Sequence, residues 1–305
     1  MLKGFSKVLI CGGFDPAIDT CEVINLESSA AKCQNPPIFP DTVYNAFGGV
    51  GVKENPIICG GYQAGTLTNR CFSLENNEWV SSVSMNTIRS AAAAAQLPDN
   101  NFFVTGGFNS AFLSSAEMLT SEGWENKTPS LPGTNRFHCM VTVNSTTVMA
   151  IGGLHNEQYS GKTFYFTFGE ESWREGPELK NKRAHHSCGR LRGDKESQMM
   201  SITVAGGWDG SSRMSSVEIL DEGSIKWKTG PELPFGAESS QMVEDPSGGV
   251  VLIGGASSSG VILDTLYQLT HGGQDASWTK MEQKLKNGRF WHTAFVVPDK
   301  TVDCS

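Results

Sequence analysis

Residues 84–107 read SMNTIRSAAAAAQLPDNNFFVTGG, and the glycine pair that ends this stretch recurs along the chain. Short apolar runs end in such a pair at six places: 12–13, 60–61, 106–107, 152–153, 206–207 and 254–255. Five of the six pairs are followed by a tryptophan, at Trp79, Trp124, Trp173, Trp227 and Trp278. The copies lie 46 to 54 residues apart. A period of this length predicts a propeller or a solenoid.

Each copy also contains a turn between the tryptophan and the next apolar run, as in WREGPELKNKR (173–183) and WKTGPELPFGA (227–237). The copy therefore divides into four short strands: an inner strand after the turn, a second ending in the glycine pair, a third, and an outer strand with the tryptophan. Glycine permits positive φ or close backbone approach. Tryptophan buries a large ring between neighbouring sheets.

This combination of glycine pair, tryptophan and turn resembles the kelch repeat, and the resemblance covers essentially the whole chain. It implies an all-β fold: a six-bladed kelch β-propeller of four-stranded antiparallel blades, forming a single domain over 1–305. The chain begins with a second strand, KVLICGG, and ends with an inner strand, GRFWHTAFVV. We expect the N- and C-terminal strands to share a blade, which closes the ring and leaves no exposed edge between first and last blades.

The alanine run belongs to this scheme despite its helix propensity. Residues 90–96 occupy the place of FHCMVTV and FWHTAFV in other copies. We therefore predict the inner strand of blade three, since small side chains suit the crowded axis and tertiary context overrides propensity.

Composition limits the partners and the compartment. The formal charge of −8 argues against nucleic-acid and anionic-membrane partners, which need a basic face. We expect a soluble monomer, because no apolar run reaches the roughly 20 residues of a membrane helix. The N-terminus lacks a secretory signal pattern, which favours a cytoplasmic location.

Eight cysteines leave two interpretations open. Cys11 with Cys21, and Cys59 with Cys71, can meet across hairpins as disulfides, which would indicate an extracellular or otherwise oxidising location. Alternatively they are buried thiols, as we expect for Cys139 and Cys188 on inner strands. No CxxC pair occurs, so we expect neither a zinc site nor a cofactor.

Arginine precedes the inner strand in four blades, at Arg89, Arg136, Arg183 and Arg289, while blades two and six lack it. Because this turn lies on one rim, we expect the four guanidinium groups to converge at one mouth of the central channel and bind an anion. The loops after the glycine pairs reach the same rim. Four of them begin with an aromatic residue, which favours recognition: Phe14, Tyr62, Phe108 and Trp208.

The segment MNTIRSAAAA resembles the kelch domains of BTB-containing ubiquitin-ligase adaptors, whose mouth arginines and serines grip acidic peptides. The resemblance implies ligand-binding roles for Arg89 and Ser90, for Tyr62, and by position for Arg136 and Arg183. The chain contains no BTB or BACK region, so ligase recruitment does not follow. We expect an adaptor-like module that binds an acidic or Ser/Thr-containing peptide.

The sequence supports few enzymatic alternatives. No nucleophile elbow or phosphate loop is present, and His185 and His186 point to opposite strand faces, which disfavours a shared metal. Sialic-acid mutarotases resemble six-bladed kelch propellers and hold a carboxylate with arginine, so a mutarotase-like or lectin-like site for a small acidic sugar is an alternative. Actin binding, as in some kelch proteins, is another.

Overall fold

The computed structural model describes residues 5–14, 16–28, 33, 36–51, 54–97, 101–126, 128–193, 199–273 and 275–302. Antiparallel sheets form six blades, numbered by their glycine pairs. Blade 1 contains Thr293–Val297, Lys7–Cys11 and Cys21–Asn25. From the inner strand outward, blades 2 and 3 contain Phe47–Val50, Pro56–Cys59, Cys71–Glu75 and Glu78–Ser82, then Ala93–Gln96, Phe102–Thr105, Ala116–Thr120 and Gly123–Glu125.

The remaining blades repeat the same order. Blade 4 contains Cys139–Thr142, Thr147–Ile151, Thr163–Thr167 and Arg174–Glu175. Blade 5 contains Ser187–Arg192, Met200–Ala205, Val217–Leu220 and Lys228–Thr229, and blade 6 contains Gln241–Glu244, Val250–Ile253, Thr265–Leu269 and Thr279–Lys284. Short strands lie on one rim, at Val43–Tyr44, Tyr62–Gln63, Thr66–Leu67, Asn135–Arg136, Leu154–His155, Gln158–Tyr159, Ala237–Glu238 and Ala256–Ser257. A 3-10 helix spans Asp299–Thr301, and no helix among the described residues is long and apolar enough to cross a membrane.

The two ends of the chain share blade 1, as predicted. Lys7–Cys11 pairs with Thr293–Val297 on one side and with Cys21–Asn25 on the other, with Cys11 opposite both Thr293 and Cys21. The second strand of the blade therefore comes from the N-terminus and the inner strand from the C-terminus.

A circle of backbone hydrogen bonds surrounds the channel. Six residues, one per blade, form an inner ring: Asn45, Ala91, Phe137, His185, Ser239 and Trp291. The N–H of each donates to the carbonyl of the residue before it in the ring, and Asn45 completes the circle by donating to Trp291, at 2.8–3.3 Å. All six have a left-handed backbone with φ of 51–57°. The ring ties each blade to the next at the channel mouth.

The glycine pairs also join each blade to the next. The second glycine of each pair donates to a carbonyl of the next blade at 2.7–2.9 Å. A Cβ on the first glycine would lie 2.2–2.8 Å from that same carbonyl oxygen, as for Gly106 against Asn135 at 2.3 Å. Glycine is therefore required by close approach as well as by positive φ.

Five tryptophans stabilise the outer part of the interfaces between neighbouring blades. In blades 2 to 6 the indole Nε1–H donates to a carbonyl in the turn that leaves the preceding blade, at 2.7–3.1 Å. Trp227, for example, donates to Pro177. Each indole thus buries apolar surface between two blades and has its N–H group hydrogen-bonded.

The prediction of a strand over 90–96 is confirmed for Ala93–Gln96, whereas Ala91 belongs to the inner ring with a φ of 52°. Ala93 and Ala95 are buried in a cluster with Phe103 and Phe166, while Ala92 and Ala94 pack against the cluster of Phe102. Small inner-strand residues make room for these rings, which is why tertiary packing overrides helix propensity here.

The cysteines are joined as disulfides: Cys11 with Cys21, Cys59 with Cys71, and Cys139 with Cys188. Cys33 is also disulfide-bonded, and Cys304 lies outside the described residues. The prediction of thiols at Cys139 and Cys188 is wrong. These two residues lie on inner strands of neighbouring blades, with Cα atoms 6.1 Å apart, so their side chains meet across the interface between blades.

Candidate functional site at the channel mouth

The hydrogen bonds between blades fix the alignment of the repeats at the mouth. Gly61, Gly153 and Gly255 donate to the carbonyls of Arg89, Arg183 and Arg289, whereas Gly107 donates to Asn135. Asn135 is thus the counterpart of the three arginines. Arg136 lies one position later, at the place of Ser90, Ala184 and Phe290.

Arg89, Arg183 and Arg289 are fully buried within blades 3, 5 and 1. In blade 5 the Arg183 guanidinium donates to the carbonyls of Gly206 and Ser216 at 2.8 and 2.9 Å, and to the Glu218 carboxylate at 2.9 Å. Arg89 makes the same contacts with Gly106, Ser115 and Glu117, and Arg289 with Gly12, Thr20 and Glu22.

The three glutamates have a second role. Besides pairing with arginine, each accepts backbone N–H groups of the turn that enters the blade. Glu117 accepts from Asn86 at 2.7 Å and Thr87 at 3.0 Å, and Glu218 accepts from Lys180 at 2.7 Å. In blades 2, 4 and 6 this position is aromatic instead: Phe72, Phe164 and Tyr267. The Arg–Glu pairs thus alternate around the ring.

This geometry contradicts the expectation that Arg89, Arg183 and Arg289 converge at the mouth to bind a ligand. Their side chains have no exposed surface, and their terminal guanidinium nitrogens donate within the blade, while the Nε of Arg89 and that of Arg289 have no acceptor among the described residues. Ser90 is buried too, with its hydroxyl donating to the Phe108 carbonyl at 3.5 Å.

Arg136 alone of the four arginines is partly exposed at the mouth. Its guanidinium carbon lies 4.3 Å from the ring centroid of Phe112, 5.1 Å from that of Phe137 and 5.2 Å from that of Phe108. Burial lowers the pKa of Arg136, and the field of Tyr159, Tyr62 and Glu157 partly offsets this. Its Nε is buried with no hydrogen-bond partner among the described residues.

The four predicted aromatic residues lie on the mouth rim, as partly exposed side chains. Each pairs through its backbone with the inner-strand entry of its own blade: Phe14 with Phe290, Tyr62 with Tyr44, Phe108 with Ser90, and Trp208 with Ala184. Trp208 lies under Arg213, 5.8 Å from the guanidinium carbon to the ring centroid, and Arg213 pairs with Glu238 at 2.9 Å.

Sequence reasoning missed further mouth residues: Tyr44, Phe112, Phe137, Phe290 and Trp291. Tyr44 stacks on Tyr62 with centroids 4.9 Å apart, and Phe290 contacts Trp291 at 4.8 Å. For four of them the usable signal is their place in the repeat: Tyr44 and Phe290 lie one position, and Phe137 and Trp291 two positions, after Arg289 or its counterpart in the blade. Phe112 belongs instead to the loop after a glycine pair.

A cavity of about 90 Å³ is lined by the inner ring and by His138, His186 and His292. Burial lowers the pKa of His138 and of His292 to about 3, so both are neutral at physiological pH. The described residues contain no cluster of three metal-ligating side chains.

No protein-family model matches the sequence, and no curated protein sequence matches it. The fold matches solved structures, among them that of YjhT, with a TM-score of 0.75. The match covers 91% of this chain and 95% of that chain at 15% sequence identity. At this identity the likeness shows the fold alone, and the chain is an all-β propeller of the kelch type.

Proposed function

We propose that the protein is a recognition module that binds an acidic peptide at the channel mouth, with Arg136 as the anion-binding residue. Fold alone does not give function, so the proposal depends on the local chemistry of the mouth. The observation that carries it is that Arg136 is partly exposed at the mouth and partly desolvated, whereas Arg89, Arg183 and Arg289 are fully buried and paired with glutamates.

The energetics favour an anionic ligand. A desolvated charge without a partner is costly, whereas a charge-assisted hydrogen bond to a carboxylate is strong. Flanking Phe108, Phe112 and Phe137 hold the guanidinium by cation–π contacts, and the residue is still partly exposed. Arg213, by contrast, is already paired with Glu238.

The shape of the mouth favours a peptide over a small acidic sugar. Sites that enclose small molecules have volumes of roughly 300–1,000 Å³, whereas the cavity here is about 90 Å³. A peptide crossing the open, aromatic rim needs no deep pocket. Titration calorimetry with sialic acid distinguishes the two, since saturable heat would support the sugar-binding alternative.

Peptides selected from a random 12-residue phage library on the intact protein should be enriched in glutamate or aspartate. Replacing the enriched acid by its amide should weaken binding about tenfold, as expected for the loss of one charge-assisted hydrogen bond. Fluorescence polarisation measures this. Binders that lack acidic residues, or that tolerate the amide, would argue against the proposal.

We also propose an oxidising location, such as the extracellular space, because disulfides persist in such compartments and are rare in the cytosol. Protein taken from its native source into excess alkylating reagent, then mapped by mass spectrometry, should be unlabelled at Cys139 and Cys188. Labelling at both would indicate a reducing compartment.

A further inference from the structure

Five aromatic side chains form one connected surface where blades 1 and 2 meet the mouth. This aromatic platform consists of Phe14, Tyr44, Tyr62, Phe290 and Trp291. Phe14 contacts Tyr44, Trp291 and Phe290, with centroids 4.9, 5.7 and 6.0 Å apart. All five side chains are partly exposed, so the rings pack on each other and still present faces or edges to the mouth.

The platform contains an unused polar group. The indole Nε1–H of Trp291 is buried and has no acceptor among the described residues, although Trp291 lines the cavity. The five interblade tryptophans all satisfy this group with a backbone carbonyl. A buried donor without an acceptor is costly, so a rotation of the partly exposed indole that brings Nε1–H to a ligand carbonyl would be favourable.

The blade 1 part of the platform lies across the opening from Arg136. Trp291 belongs to blade 1 and Arg136 to blade 4, which are three blades apart in a ring of six. An anion at Arg136 and an apolar group at Trp291 would therefore occupy opposite sides of the mouth, with Tyr62 of blade 2 close enough for its field to act on Arg136.

We infer that the mouth has a second subsite, in which the aromatic platform takes an aromatic side chain of the same peptide whose acidic group binds Arg136. Trp291 Nε1–H donates to a carbonyl of that peptide. Aromatic rings favour edge-to-face and offset contacts with other rings, which the exposed faces and edges of the platform offer. This inference rests on the proposed peptide-binding function.

The test uses fluorescein-labelled synthetic nonapeptides with one glutamate, and phenylalanine or alanine placed one to five residues away. On the intact protein, the best Glu–Phe peptide should bind about tenfold more tightly than its Glu–Ala match. Trp291→Ala should reduce that preference to about threefold or less. Trp291→Phe, which keeps a ring but lacks the N–H, should keep most of the preference and weaken both peptides about threefold.

The possible results distinguish the second subsite from the proposed anion site at Arg136. Equal affinity of the Glu–Phe and Glu–Ala peptides at every spacing, with binding still lost in Arg136→Gln, would overturn the second subsite and leave the proposed function intact. A phenylalanine preference that depends on Trp291 but not on Arg136 would support the platform and overturn the anion site. If no peptide of the series binds, both are overturned. Thermal melts confirm that each variant is folded.

Discussion

Glu218→Gln should destabilise the propeller by about 3–5 kcal/mol, because it leaves Arg183 buried without a counter-charge. The same change also weakens the acceptors for the backbone N–H groups of Lys180 and Asn181. Urea unfolding of the two proteins measures the difference in free energy.

The chain offers its own control for this experiment. Blade 2 has Val43 and Phe72 where blade 5 has Arg183 and Glu218, so the double variant Arg183→Val, Glu218→Phe imitates a natural solution. It removes both charges together and should lose less stability than Glu218→Gln. Glu170→Gln, which breaks an exposed pair with Arg174, should change stability by about 0–1 kcal/mol. If Glu218→Gln also changed stability by only about 0–1 kcal/mol, the buried pairs would not have the structural role assigned to them.

Apart from His185 and His186, whose pKa values burial also lowers, His138 and His292 should by themselves destabilise the protein by about 4 kcal/mol when the pH falls from 7.5 to 5.0. In the unfolded chain these side chains bind protons below a pKa of about 6.5. In the folded protein burial keeps them neutral until about pH 3. The unfolded state therefore binds more protons between these values, and stability is lost as the pH falls through this window.

Urea unfolding at the two pH values checks this result, and the choice of pH 5.0 stays above the ordinary pKa range of carboxylates. His292→Asn supplies the control, since removing this one imidazole should reduce the pH-dependent loss by about 2 kcal/mol. Equal stability at both pH values would show that the imidazoles are not buried as described.

Much of the fold could be predicted because its determinants repeat. The glycine pairs and tryptophans occur in register, and each has a local physical reason: close approach to the next blade's carbonyl, and an indole bond to the preceding turn. The strand assignment of the alanine run followed from the same register. Closure of blade 1 followed from the incomplete units at the two ends of the chain.

The site was harder to predict because the side chains of neighbouring residues at the mouth face opposite ways, one into the blade and the next toward the mouth. Arg136 and Arg183 both stand before an inner strand, yet they differ by one position in the repeat. On extended backbone one position exchanges the blade-facing side for the mouth-facing side. Only the hydrogen bonds of Asn135 and Arg183 with the preceding glycines reveal that shift.

The disulfide between Cys139 and Cys188 could not be predicted from hairpin reasoning. That reasoning finds partners across one ladder, as for Cys11 with Cys21, whose residues are paired in register. Cys139 and Cys188 belong to different sheets and meet because neighbouring inner strands converge at the channel. Such contacts follow from the ring geometry, which sequence spacing does not provide.

We propose that Arg136 binds the ligand at the mouth, whereas Arg89, Arg183 and Arg289 each stabilise the interior of one blade. Titration of a selected acidic peptide into Arg136→Gln, alongside a thermal melt, separates these two roles. We predict affinity reduced about tenfold or more and a melting temperature unchanged within about 2 °C. Undiminished affinity in a folded Arg136→Gln protein would show that Arg136 does not bind the peptide.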